Sequence, residues 1–216
     1  MARASTTGGE LAPAPSSRFR LPARASGLLD AAERAFALEV VRALIDPPTA
    51  PYAEDAQVAY VRRFAATREG FELAEDAHAN LIVTWRGSRA RGKSAQEDGP
   101  ALAFSAHLDH PGFHYAGKRG RAHRATFHGG VPERFFRGAP VRFFAPGTTE
   151  ALASATVARV DREGDELVAT LSGFRGAARE GMFGVFDLAS ARFRGGRLHA
   201  RVCDDRPRVA LSLIHI

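Results

Sequence analysis

The stretch AFSAHLDHPGFH, residues 103–114, decides how the chain is read. It closes the apolar run ALAFSA (101–106) and opens a region of short apolar runs and many glycines. A continuous apolar run of this length fits a strand buried on both faces of an α/β sheet. Such a strand delivers His107 and Asp109 at its carboxyl end, where open α/β sheets bind their ligands. The spacing of His107, His110 and His114 suits one face of a helix, but Pro111-Gly112 breaks any helix there. In an extended segment His107 and His110 point to opposite faces, which disfavours a three-histidine site. His107 and Asp109 point the same way. A neutral imidazole is a good zinc ligand, and a carboxylate beside it can accept the other ring N–H. A polar loop without a ligand is the alternative these residues alone leave open.

On the N-terminal side, LLDAAERAFALEVVRALI (28–45) repeats apolar residues at three- and four-residue spacing and predicts an amphipathic helix. DPPTAP (46–51) ends it. A second helix is expected over 54–68, closed by Gly70. FELAEDA reads as a short strand, HAN as a turn and LIVTWR (81–86) as a strong strand. Residues 87–100 read as a polar surface loop. The first 27 residues, rich in Arg, Ala, Ser and Pro, read as a disordered tail without the apolar core of a secretory signal.

On the C-terminal side, APVRFFAPG, ATVARVD, ELVATLSG and MFGVFDL are strand candidates separated by turn signals such as REGDE and RFRGGR. They predict a β-rich unit over 118–198, inserted in an α/β domain covering 28–117 and resumed at 199–210. RLHARVC reads as a short strand ending in adjacent carboxylates, Asp204 and Asp205. Adjacent acids are costly to desolvate unless a cation is present, so a metal is one reason for them. A helix N-terminus, with one Asp as cap and Pro207 in the first turn, is a compatible second reason.

Composition narrows the function classes. With 45% hydrophobic residues in 216, the chain can bury a core, and no apolar run is long enough to span a bilayer. The net charge of +6 comes almost wholly from arginines spread along the chain, Lys93 and Lys118 being the only lysines. That distribution argues for solvated surface and against a nucleic-acid partner. The lone Cys203 excludes an internal disulfide, suits a reducing cytoplasm and reads as a small buried residue.

Four segments together resemble the glutamyl/deblocking aminopeptidases, the dinuclear-zinc family that forms tetrahedral particles and includes proteins once labelled cellulase M. They are AFALEVVRALIDPPTAPYAEDAQVAYVRRFAATREGFELAEDAHANLIVTWRG, AHLDHPGF, GGVPERFFRGAPVRF and GVFDLASARFRGGRLHARVCDDR. The resemblance implies an incomplete α/β zinc-exopeptidase domain with an inserted barrel- or PDZ-like β domain. It implies His107 as a ligand of one zinc, Asp109 as the catalytic-site residue that orients it, and Asp204 as the carboxylate bridging two metal ions. It makes Asp205 the less favoured bridge. The implied cofactors are two divalent ions, zinc or alternatively cobalt, which activate water and polarise the carbonyl of a peptide substrate. The implied activity is removal of N-terminal residues by a cytoplasmic homo-oligomer with no membrane partner.

Two positions depart from the family pattern: His110 stands in place of a glutamate, and Arg208 in place of a glycine. The family's Glu-Glu pair and distal ligands have no counterpart before Ile216, and LSLIHI (211–216) resembles a translated sequencing adapter. The expectation is an N-terminal fragment, inactive alone and weak in zinc binding. The alternative is a non-catalytic assembly or binding module whose metal site has decayed.

Overall fold

The computed structural model describes residues 31–86, 103–195 and 197–215. The expected tail, the first turn of the 28–45 helix and the 87–100 loop lie outside the described residues. Helix α1, Ala31–Ile45, buries Val40, Leu44 and Ile45. Phe36, Val40 and Leu44 lie one turn apart and form the apolar stripe its spacing predicts. Asp46 donates the last helical bond, to Arg42 O at 2.9 Å, and Pro47 cannot continue the ladder. Helix α2, Asp55–Ala66, buries Val61, Phe64 and Ala65. Strands β1, Phe71–Glu75, and β2, Leu81–Trp85, form an antiparallel hairpin with Phe71 opposite Trp85. Asp76 ties its turn by accepting bonds from Asn80 Nδ2 at 2.8 Å and from the His78 and Asn80 N–H groups at 2.9 Å. The Asn80 side chain leads these bonds in holding the Asp76 carboxyl below the usual range.

From Gly112 the chain builds a closed six-stranded barrel. Its strands are β3 (Gly112–Arg119), β4 (Ala122–His128), β5 (Pro140–Phe144), β6 (Ala151–Glu163), β7 (Glu166–Gly176) and β8 (Phe183–Phe186). The order round the barrel is β3-β4-β7-β6-β5-β8, antiparallel at every pairing. Alternation puts Ala153, Ala155 and Val157 of β6 inside. Phe113, Phe127, Phe136 and Phe143 fill the interior. Their rings meet edge to face, Phe127–Phe136 at 4.7 Å and Phe113–Phe127 at 4.9 Å between centroids. Closure leaves these strands no free edge. A hairpin of β9 (Arg192–Arg194) and β10 (Arg197–His199) leads to helix α3, Arg206–His215. Ala210 and Leu213 of α3 join Val40, Leu44, Val61 and Phe64 in a second core, against which Phe71, Leu81 and Val83 of the hairpin pack.

The two cores meet at the α1–α2 connection. Ala50 and Ala53 are buried with Phe144, Phe183 and Val185 of the barrel. Gly112 is required at this joint, because a Cβ there would lie 2.5 Å from the Ala50 Cβ and 2.9 Å from Gly184 O. His114 Nε2 donates to Pro51 O at 2.8 Å across the same seam.

The result is a mixed α/β molecule with antiparallel sheets among its described residues. No strand forms over residues 103–106, the described part of the buried strand expected at 101–106. Residues 103–106 are exposed and outside any sheet, and residues 101–102 lie outside the described residues. The physical reason is pairing: β1 and β2 bond only to each other, so no described strand flanks the run. Likewise RLHARVC is a strand only over Arg197–His199. Cys203 is exposed, not buried.

Candidate metal centre

Residues 107–110, just before β3, and residues 204–205, just before α3, meet although separated by almost a hundred positions. His107 Nδ1 lies 3.0 Å from Asp109 Oδ1, with the Asp109 carbonyl oxygen at 3.2 Å. The two-residue spacing thus brings the carboxylate onto the ring nitrogen. With Nδ1–H donated to Asp109, the Nε2 lone pair is left free. That Nε2 faces Asp205 Oδ2 at 3.4 Å. One ligand atom each from His107, Asp204 and Asp205 lie within 4.8 Å of one another.

The donor set fits a divalent ion. Two adjacent carboxylates beside one imidazole gather negative charge that a cation held among them would offset. Imidazole nitrogen with carboxylate oxygens is a zinc donor set, and tetrahedral ligands at about 2.1 Å lie about 3.4 Å apart, within rotamer reach of the observed spread. His107 and Asp204 are exposed and Asp205 is half-buried, so the group is open to solvent on one side.

Arg206 underlies this arrangement. It is fully buried, and its Nε donates to Leu108 O at 2.9 Å. Its Nη1 donates to Leu44 O at 3.2 Å and Pro47 O at 3.3 Å. One guanidinium therefore pins the segment carrying His107 to the C-terminal end of α1, where unpaired carbonyls favour a cation. Burial, and next the charge of Arg201, pull the Arg206 pKa to about 9, which leaves it charged at neutral pH. Arg201 reinforces the corner by donating to Asp46 O at 2.7 Å, while Asp46 Oδ1 accepts from Ala191 N at 2.6 Å.

His110 is outside the three-residue group. Burial first, then the charges of Arg206 and Arg201, lower its pKa to about 4, and its buried Nδ1 has no hydrogen-bond partner. It is a neutral imidazole at neutral pH. Glu54, just before α2, is a further carboxylate near the site. Its pKa is raised, by burial above all, with the Asp109 charge contributing.

Sequence reasoning singled out His107, Asp109 and Asp204, and the structure brings all three together. The direct partner of His107 Nε2 is Asp205, which the sequence reading ranked below Asp204. Asp205 also sits where a helix cap would, its carbonyl accepting from Val209 N at 3.0 Å while its side chain turns to His107 and Arg208. The buried role of Arg206 was missed. The one signal for it was an arginine at the start of a predicted element, directly after the two acids.

Neither a protein-family model nor a curated protein sequence matches the chain. Solved structures do. A protein provisionally named a peptidase/endoglucanase superposes with TM-score 0.54 at 18% identity, over 84% of this chain and 52% of the other. The likeness is one of fold. An aminopeptidase from the archaeon Desulfurococcus kamchatkensis gives TM-score 0.48 at 18% identity, over 75% of this chain and 46% of that one. The chain spans about half the length of the solved structures it matches. No helix among the described residues is long and apolar enough to cross a membrane.

Proposed function

We propose that the chain belongs to a metal-dependent peptidase acting at peptide N-termini, with His107, Asp204 and Asp205 holding a divalent ion. The observation that carries this reading is the convergence of those three side chains, with Asp109 on the far nitrogen of His107. The fold shared with the peptidase/endoglucanase structure supports it, as does the motif resemblance. A bound ion would supply Lewis-acid polarisation of the peptide carbonyl and activate water. The chain's own residues do the rest. Asp109 fixes the tautomer and plane of the His107 ring, so that Nε2 presents its lone pair. Arg206 sets the distance between the His107 segment and the carboxylates. Asp204 would supply a carboxylate beside Asp205, and the resemblance implies that it would be shared with a second ion.

The experiment is zinc titration of the 216-residue chain followed by calorimetry. His107→Ala abolishes binding, and Asp109→Asn weakens it by about 10–100-fold, as loss of an orienting carboxylate does. In a longer chain that completes the site, both variants lose aminopeptidase activity. Unchanged zinc affinity in His107→Ala refutes the assignment.

A further inference from the structure

Arg208 has a place in the site that its residue type does not predict. It lies in the first turn of α3, where the helix dipole favours anions, and that turn contains no acidic residue. Its guanidinium is not directed at solvent alone: Nη1 is paired with Asp205 Oδ1. The other oxygen of the same carboxylate is the one facing His107 Nε2, at 3.4 Å. The two positive groups near Asp205 differ in kind. Arg206 is buried and committed to three carbonyls, whereas the Arg208 side chain is 72% exposed and makes no other side-chain hydrogen bond among those described. Asp205 is only 14% exposed, so the pair is half sheltered from water.

Resting on the metal-site reading above, we infer that Arg208 is a built-in counter-cation that competes with the divalent ion for Asp205. Without metal, Arg208 offsets the adjacent negative charges of Asp204 and Asp205, which would otherwise repel each other. When an ion enters between His107 and Asp205, the carboxylate charge is shared and the guanidinium is repelled. Being exposed, Arg208 can swing into solvent at little cost in packing. A unit charge about 6 Å from a divalent ion changes its affinity by roughly tenfold at a water-like dielectric, and by less at high salt. The arginine therefore sets a threshold: the site loads only at higher metal concentration than the same ligands would without it.

The test uses the full 216-residue chain and zinc chloride at low ionic strength, read by calorimetry and by the metal-induced shift in melting temperature. Arg208→Gln keeps length and helix propensity but removes the charge; Arg208→Lys keeps a charge. The expected result is roughly tenfold tighter zinc binding in Arg208→Gln, a change under threefold in Arg208→Lys, and convergence of Arg208→Gln with the parent in high salt. The metal-free Arg208→Gln chain should melt no higher than the parent, while its zinc-loaded form gains more. If Arg208→Gln binds zinc as the parent does, while His107→Ala binds none, the competition is refuted and the metal site stands. If parent and Arg208→Gln alike bind no zinc, the metal-site reading falls and the competition with it.

Discussion

The barrel and the helical layer of this molecule solve different problems. The barrel closes on itself through six antiparallel strands, fills its interior with phenylalanines and leaves no strand edge open. Among the described residues the helical layer rests on three helices, the β1–β2 hairpin and a smaller apolar cluster. Its polar chemistry is concentrated in two loop segments held by a buried guanidinium. The difference teaches where stability and chemistry reside: the barrel has its own closed aromatic core, and the candidate site lies in connections that the smaller layer must hold in place. Loops carried on a rigid support are the usual location of binding residues.

That contrast can be broken by measurement. The largest effect is expected in the barrel: Phe143→Ala removes a fully buried ring contacting Tyr115 and Phe174 and costs about 3–5 kcal/mol in denaturant unfolding. Zinc affinity of its folded fraction stays unchanged. Arg206→Met removes the donor to Leu108, Leu44 and Pro47, costs about 3 kcal/mol by stranding those carbonyls, and abolishes zinc binding. If Arg206→Met binds zinc normally, the guanidinium does not organise the site.

His110 gives a smaller, pH-dependent effect. Its folded pKa of about 4 lies below the ordinary 6.5, so between those values the unfolded chain binds the extra proton. Stability is complete above about pH 6.5 and falls as pH drops towards 4. His110→Leu should flatten that slope in metal-free unfolding at pH 5 and 7. An unaltered slope places the acid sensitivity elsewhere. The smallest effect on metal-free stability is that of Arg208→Gln, under about 1 kcal/mol, as for other largely exposed ion pairs.

Much of this was legible in the sequence. The helices α1 and α2 and the hairpin β1–β2 follow from apolar spacing, from Pro47 and Gly70 and from the turn at HAN, though the first strand ends at Glu75, before the Asp76 assigned to it. Strands β5 to β8 follow from apolar runs between glycine turns. Strands β3 and β4 did not stand out, because GFHYAGKR and AHRATFH mix histidine, basic residues and glycine with their buried positions. The run at 101–106 misled for the opposite reason: apolar composition measures readiness to be buried, but a strand also needs a neighbour to bond. Within the site, the His107–Asp109 contact is a local consequence of two-residue spacing and could be read. The choice between Asp204 and Asp205 depends on how α3 begins, and the burial of Arg206 on how α1 ends. Both are tertiary facts with no local pattern.

The central claim is that His107, Asp204 and Asp205 form one cation site, and zinc titration of the 216-residue chain against the Asp204→Asn/Asp205→Asn double variant tests it most directly. The account predicts saturable binding that raises the melting temperature of the parent and is absent from the double variant. Equal binding by the two proteins, or none by the parent and none by its Arg208→Gln form, would contradict it.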